Sequence, residues 1–261
     1  MDEVTSNDGT AIAFDRFGAG PAVILVGGAF QHRAIDQQTA RLAELLGREF
    51  TVFHYDRRGR GDSGDTLPYA VEREVEDIAA LVDAAGGRAH VFGMSSGGAL
   101  GLAAAASGLP ITKLAVYDPP FQVEESGRAA MKSYGQQLSA LLAEGRRGDA
   151  AALAMKTFGA PLEAVEGMRH APVWATFESV APTLAYDAAV MGDGSVPTER
   201  AMSVAVPTLV IDGGASPQWM REAADAVAGV LPTAQRLTLD GQTHDVAPDV
   251  LAPALRQFFL A

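Results

Sequence analysis

Two adjacent serines, Ser95 and Ser96, lie between glycines in the stretch VFGMSSGGALG, residues 91–101. An apolar run typical of a β-strand (HVFG) precedes them, and a run of small residues typical of a helix (GGALGLAAAASG) follows. Gly93 to Gly97 match the pattern G-x-S-x-G, in which a serine at a sharp strand-to-helix turn acts as a nucleophile. A glycine-rich turn without chemistry is the alternative, and the flanking strand and helix favour the nucleophile.

The spacing of the glycines distinguishes the two serines. In a turn of this kind, the residues two positions before and after the nucleophile must be very small, so that strand and helix can approach closely. Ser95 has glycine at both positions (Gly93 and Gly97), whereas Ser96 would have Met94 at the first. We therefore predict that Ser95 is the nucleophile and that Ser96 contributes its backbone N–H to an oxyanion hole.

The composition restricts the class of protein. The 261 residues are 48% hydrophobic and 20% charged, so the chain can bury a sizeable core. The net charge of −12 argues against nucleic acids and anionic membranes as partners. Cysteine is absent, which excludes disulfides, thiolate zinc sites and a cysteine nucleophile. With no signal-peptide pattern and no long apolar run, we expect a cytoplasmic protein, and nothing suggests a metal or a cofactor.

Short apolar runs typical of strands alternate with amphipathic helical stretches. This alternation predicts an α/β protein with a mostly parallel sheet covered by helices on both faces. The turn GAGP between the first two runs predicts an N-terminal hairpin. The predicted strands span residues 11–18, 22–28, 51–56, 89–95, 112–118, 207–214 and 234–241.

The alternation of predicted strands and helices is interrupted in one region. Between residues 121 and 204 there is no convincing strand, and helical pieces rich in Met, Phe, Trp and Tyr take its place. We therefore expect residues 1–120 and 205–261 to form the core, and residues 121–204 to form a helical cap over the C-terminal edge of the sheet.

These elements and motifs together resemble the α/β-hydrolase family over nearly the whole chain. LVGGAFQ, residues 25–31, resembles the family's loop after its third strand, and YDRRGRGDS, residues 55–63, resembles the loop after its fourth. The resemblance implies an α/β-hydrolase fold with an eight-stranded, mostly parallel sheet, flanking helices and a helical cap. It also implies that the Ala29 and Ser96 amides form the oxyanion hole.

The family's catalytic residues follow the order serine, acid, histidine, with the histidine on the loop after the last strand. Among five histidines, His244, in LDGQTHDVAP, has this place. His54 and His90 belong to predicted strands, where structural roles are expected, and His170 belongs to the predicted cap. We predict that the neutral imidazole of His244 takes the proton of Ser95.

The acid is displaced from its usual position. In most relatives it follows the penultimate strand, but in VIDGGASPQWM that position holds Ser216, which carries no negative charge. Asp118, which ends the strand after the elbow helix, is our first choice, because some α/β hydrolases place their acid there. Asp212 is the second choice, and Asp245 is disfavoured because it adjoins His244 itself.

The displaced acid, the sequence SSG and the sequence PVW at residues 172–174 resemble the resorcylic-lactone hydrolases that open zearalenone. In those enzymes a carboxylate after the sixth strand completes the triad and a cap tryptophan contacts the substrate. The resemblance implies these roles for Asp118, which is one methylene shorter than the glutamate of those enzymes, and for Trp174. Trp174 also fits the core of the cap. The residues predicted to bind substrate are Gly28, Phe30, His32, Phe121 and Trp174.

From these features we expect a serine hydrolase that cleaves a carboxylic ester or lactone of a hydrophobic small molecule through an acyl-enzyme. One alternative is a ligand-binding or sensor protein on an inactive hydrolase scaffold. Another is a perhydrolase or a carbon–carbon bond hydrolase that uses the same triad. The expected partner is the small-molecule substrate, and the chain is expected to be a monomer or a homodimer.

Overall fold

The eight strands of the chain, from its N-terminal to its C-terminal part, form one central sheet. The computed structural model describes all residues, 1–261. The strands are β1 (Asp2–Thr5), β2 (Ala11–Phe17), β3 (Ala22–Val26), β4 (Thr51–Tyr55), β5 (Ala89–Met94), β6 (Ile111–Tyr117), β7 (Thr208–Gly213) and β8 (Ala234–Leu239). In the sheet order β1-β2-β4-β3-β5-β6-β7-β8, β2 pairs antiparallel with both neighbours and every other pairing is parallel. The predicted eight-stranded, mostly parallel sheet is therefore confirmed.

The predicted N-terminal hairpin is wrong, because β4 lies between β2 and β3. Phe14 of β2 pairs with Tyr55 of β4, and Ala22 of β3 pairs with Thr51 at the other end of the same strand. The linker between β2 and β3 packs instead against the chain that leads into β4. A Cβ atom at Gly18 would lie 1.9 Å from the carbonyl oxygen of Gly47.

Five of the eleven α-helices cover the two faces of the sheet. The helices are α1 (Gln37–Leu46), α2 (Val71–Ala84), α3 (Ser96–Ala106), α4 (Glu125–Ala143), α5 (Arg147–Thr157), α6 (Leu162–Met168), α7 (Trp174–Val180), α8 (Leu184–Met191), α9 (Thr198–Met202), α10 (Gln218–Val230) and α11 (Pro248–Leu260). Helices α1 and α11 pack on one face, and α2, α3 and α10 pack on the other. No helix combines the length and the apolar character needed to cross a bilayer.

Strand β3 shows why the core has two halves. All five residues of its sequence AVILV are buried. Successive side chains of a strand point to opposite faces. Accordingly, Val23 and Leu25 join the cluster under α1 and α11, while Ile24 and Val26 join the cluster under α2, α3 and α10. A strand that is apolar at every position is typical of a parallel sheet covered on both sides.

Helices α4 to α9 fill the chain between β6 and β7, and no strand occurs there. This segment has a hydrophobic cluster of its own, which includes Tyr134, Leu138, Met155 and Trp174. Ala29 and Phe30, from the loop after β3, pack against the same cluster. The helical segment therefore contacts the loop that was expected to supply an oxyanion amide.

Candidate active site

Ser95 occupies the turn between β5 and α3. Its backbone has φ 55° and ψ −127°, a conformation that residues with a side chain rarely adopt. The glycines on either side allow the close approach of strand and helix that imposes it. A Cβ atom at Gly93 would lie 2.3 Å from the Gly97 carbonyl oxygen, and one at Gly97 would lie 2.2 Å from that of Val26. The spacing that selected Ser95 from the sequence thus has a steric cause.

Ser96 differs from Ser95 in its surroundings. Its side chain is buried, and its hydroxyl donates a hydrogen bond to Oδ1 of Asp187 at 2.7 Å. Ser96 is also the first residue of α3, so its N–H is one of the first-turn amides that have no acceptor within the helix. Its amide is therefore available to a ligand, while its hydroxyl is held by a carboxylate.

His244 and Asp118 are in contact. Nδ1 of His244, on the loop between β8 and α11, lies 3.2 Å from Oδ2 of the fully buried Asp118. When Nδ1 carries the proton that points at this carboxylate, Nε2 is left as the basic nitrogen. Tyr117 supports the same loop, because its hydroxyl donates to the Thr243 carbonyl oxygen at 2.6 Å. Burial raises the pKa of Tyr117, so this donor keeps its proton.

Two further groups bind the Asp118 carboxylate. The hydroxyl of Ser216 donates to Oδ2 at 2.6 Å, and the N–H of Gly213 points at Oδ1 from 3.4 Å. Asp118 directly follows β6, and its backbone has φ 43°. Ser216, which stands where the acid was expected in the sequence, is therefore a partner of the carboxylate that lies nearby.

The other two candidate acids have different partners. Asp212 is buried and accepts a hydrogen bond from Nη1 of Arg236 at 2.9 Å. Asp245 accepts from Nε2 of Gln38 at 3.2 Å. Neither carboxylate forms a hydrogen bond with His244, and only Asp118 does so.

The loop after β3 presents a free amide beside Ser95. The N–H of Ala29 makes no hydrogen bond within the chain. The preceding N–H, of Gly28, donates to Oε1 of Gln31, whose Nε2 in turn donates to Asp36 at 2.7 Å. A Cβ atom at Gly28 would lie only 3.0 Å from Cβ of Ser95, so the loop passes directly next to this serine.

One cavity of about 430 Å³ brings these groups together. Ser95, Ser96, His244, Gly28 and Ala29 all line it. Most of the remaining wall is apolar, and part of it comes from the helical segment. The larger apolar residues in the wall are Phe30, Met94, Met131, Tyr134, Phe158, Met191, Trp219 and Met220.

Three residues predicted to bind substrate lie outside the cavity. His32 is buried behind the loop after β3 with both ring nitrogens unpaired, and burial lowers its pKa. Phe121 belongs to the main hydrophobic core. Trp174 is in the core of the helical segment, where its indole N–H donates to Glu178 at 3.2 Å. Gly28 and Phe30 do line the cavity.

Other cavity residues were not anticipated. Trp219 stands three positions after Ser216, so its proximity to the expected acid position was the only available signal. Met131 lies in α4 and Phe158 directly follows α5, and no local pattern reveals how these helices pack. No group of three or more histidine, cysteine, aspartate or glutamate side chains could hold a metal ion.

Comparison with known proteins identifies the family to which the chain belongs. The model of the alpha/beta hydrolase family matches residues 23–254, so the chain belongs to this family. An alpha/beta hydrolase from Sphaerobacter thermophilus is 56% identical, with a TM-score of 0.89, over 99% of this chain and 100% of that one. No protein among the curated ones matches in sequence.

More distant solved structures share the fold. The enol-lactonase from Burkholderia xenovorans is 22% identical, with a TM-score of 0.66 and coverage of 100% of both chains. An esterase from Rhodococcus is 20% identical, with a TM-score of 0.69, over 100% of this chain and 98% of that one. At these identities the likeness concerns the fold alone.

Proposed function

We propose that this hydrolase cleaves a carboxylic ester or lactone of an apolar small molecule, with Ser95 as the nucleophile. The observation that carries the proposal is the contact between His244 and Asp118 beside a cavity that Ser95 and His244 share. A serine, a histidine and a buried carboxylate in one site are the components of acyl transfer through a covalent intermediate.

In the proposed mechanism, Oγ of Ser95 attacks the carbonyl carbon while Nε2 of His244 takes its proton. The negative oxygen that forms is held by the amides of Ala29 and Ser96. Asp118 keeps the imidazole in the required tautomer and stabilises its positive charge. The imidazolium then returns the proton to the leaving alcohol, and a water molecule activated by His244 hydrolyses the acyl-enzyme to release the acid and free Ser95.

The wall of the cavity supports an apolar substrate. The cavity volume of about 430 Å³ suits a small molecule. Met131, Phe158 and Met191 come from the helical segment, which supports the assignment of residues 121–204 as a cap over the core formed by 1–120 and 205–261. An esterase and an enol-lactonase among the structural relatives are consistent with either substrate class.

A fluorophosphonate probe tests the proposal, because it labels only activated serines. We expect labelling of the wild type and of Ser107→Ala, at the far end of α3, and none of Ser95→Ala. Hydrolysis of p-nitrophenyl butyrate and of a panel of five- and six-membered lactones should follow the same pattern. A wild type that is neither labelled nor active on any ester or lactone would contradict the proposal and favour the ligand-binding alternative.

A further inference from the structure

A cluster of buried charges from distant parts of the chain adjoins the site. Arg57 and Arg60, on the loop after β4, are each 1% exposed, and Asp187, on α8, is 4% exposed. Oδ1 of Asp187 accepts from Nη1 of Arg57 at 2.6 Å, and Oδ2 accepts from Nη2 of Arg60 at 2.7 Å. The pKa of Asp187 lies below its ordinary value, because the charges of the two arginines outweigh the opposite effect of burial. We call these three residues the arginine clamp.

The arginine clamp also holds the loop after β3. Nη1 of Arg57 lies 3.3 Å from the Gly27 carbonyl oxygen, and Nη1 of Arg60 donates to that of Gly28. The remaining nitrogen of Arg60, Nε, donates to Oγ1 of Thr183 at 3.0 Å. Every nitrogen of the Arg60 guanidinium therefore has a partner, so the plane of this group is fixed.

The position of the Gly28 carbonyl determines the direction of the Ala29 N–H. The peptide bond between them is planar and trans, so its C=O and N–H point in opposite directions. The C=O accepts from Arg60, which is not among the residues that line the cavity. The N–H, which has no partner in the chain, therefore points away from Arg60, in a loop that passes next to Ser95.

Asp187 is connected to the second oxyanion amide as well. Its Oδ1 accepts the hydroxyl proton of Ser96, the residue whose N–H opens α3. One buried carboxylate thus contacts the side chain of one oxyanion residue directly and reaches the other through Arg60. A carbonyl that accepts from a cation is also polarised, which makes the N–H of the same peptide a stronger donor.

We propose that Arg60, held in place by Asp187, is a positioning residue that aims the Ala29 amide at the oxyanion. This role rests on the proposed hydrolase function. It differs from a purely structural role because it acts on the transition state, in which the oxyanion exists, and hardly at all on the bound ester.

Arg60→Lys tests the role, with Arg58→Lys as a matched control. Arg58 is equally buried and pairs with Asp77 at 2.6 Å and Asp8 at 2.8 Å, but it does not contact the loop after β3. Lysine keeps the charge but cannot satisfy three partners in one plane. We expect Arg60→Lys to lower kcat for p-nitrophenyl butyrate by about 10- to 100-fold with little change in KM, since losing an oxyanion donor outright costs about 10²- to 10³-fold.

The second readout is inhibition by butylboronic acid, whose tetrahedral adduct with serine places an oxygen in the oxyanion hole. Its Ki should rise in Arg60→Lys by about the same factor as kcat falls, and should not change in Arg58→Lys. Both variants should unfold at lower temperature than the wild type. Equal kcat and equal Ki in the two variants would show that Arg60 is structural only.

Thr183→Val provides a milder change if Arg60→Lys does not fold. It removes the acceptor for Nε of Arg60 and the hydrogen bond that Oγ1 of Thr183 donates to the Val180 carbonyl oxygen, and it leaves Arg60 itself in place. We expect a few-fold fall in kcat with a matching rise in the boronic acid Ki. An unchanged kcat and Ki would refute the positioning role. These results are read only against a wild type labelled at Ser95, because an unlabelled, inactive wild type refutes the hydrolase function itself.

Discussion

Ser216 donates its hydroxyl proton to Oδ2 of Asp118 at 2.6 Å, and this is the same oxygen that lies 3.2 Å from Nδ1 of His244. Strands β6 and β7 are parallel neighbours, and Tyr117 pairs with Ile211 near their carboxyl ends. Residues that follow these two strands therefore meet at one place. Asp118, which follows β6, therefore contacts the histidine although the position expected for the acid, after β7, holds Ser216.

Asp118→Asn should lower kcat by about 10³- to 10⁴-fold, because the amide favours the wrong imidazole tautomer and cannot stabilise the imidazolium. Asp212→Asn is the matched control. It breaks only the ion pair with Arg236, so we expect some loss of stability and an unchanged kcat. Steady-state kinetics with p-nitrophenyl butyrate compares the two. A deep loss in Asp212→Asn alone would mean that the acid is assigned to the wrong strand.

Moving the carboxylate back to β7 should restore part of the activity. Oγ of Ser216 lies 2.6 Å from Oδ2 of Asp118. In the double variant Asp118→Asn with Ser216→Asp, the new carboxylate should therefore lie close to the place of the one that was removed. We expect at least about a tenfold higher kcat than in Asp118→Asn alone, out of the 10³- to 10⁴-fold lost. Ser216→Asp by itself should reduce activity, because it places two carboxylates side by side. A double variant no more active than Asp118→Asn would show that position 216 cannot reach His244.

Stability should fall as the pH falls from about 6.5 towards 4. Burial lowers the pKa of His90 from the ordinary value of 6.5 to about 4, and it also lowers those of His54 and His32. The unfolded chain therefore binds protons in this range that the folded chain does not, which favours unfolding. The stabilisation is complete above about pH 6.5, where both states are neutral.

His90→Phe isolates the largest of these effects. The ring stacks on Phe259 at 4.8 Å, so phenylalanine keeps the packing, although it loses the hydrogen bond with Thr112. Urea midpoints at pH 7.5 and pH 4.5 should differ less in the variant than in the wild type. The same difference in both proteins would show that His90 does not contribute to the acid sensitivity.

Two glycine-to-alanine changes should have opposite effects on stability. In Gly97→Ala the new Cβ would lie 2.2 Å from the Val26 carbonyl oxygen, so β5 and α3 must separate. We expect the free energy of unfolding to fall by more than about 3 kcal/mol and the activity to be lost. Gly135, inside α4, has nothing within 4 Å of such a Cβ. Gly135→Ala should raise the free energy of unfolding by about 0.5–1 kcal/mol and leave kcat unchanged. Thermal unfolding measures both changes, and destabilisation by Gly135→Ala would contradict the expected gain.

The parts of the site set by local rules were predictable from the sequence. The turn around Ser95 follows from its two glycines and from the strand and helix that flank them. Asp118 and His244 were predicted from the places that the α/β-hydrolase family gives its acid and its histidine, and both lie where parallel strands end at one edge of the sheet. The strand order was less accessible, since nothing local shows that β4 inserts between β2 and β3.

Contacts between residues that are far apart in the sequence could not be predicted. Arg57 and Arg60 were visible only as part of a loop motif, because their partner Asp187 is more than a hundred residues away in the sequence. Two of the three aromatic residues that were predicted to bind substrate, Phe121 and Trp174, fill hydrophobic cores, whereas Phe30 lines the cavity. Whether an aromatic side chain faces a cavity or a core depends on neighbouring helices, which the chain's own periodicity does not specify.

Phe30, Ser95 and Asp118 are the only residues other than glycine with positive φ, and each directly serves or borders the site. Conformations of this kind cost on the order of 1–3 kcal/mol each, so the rest of the fold holds them against their own preference. Selection for heat resistance alone would therefore favour the loss of these conformations and, with them, of catalysis. A more stable form of this protein is better sought at positions such as Gly135, where the backbone has no positive φ and an added Cβ meets no neighbour.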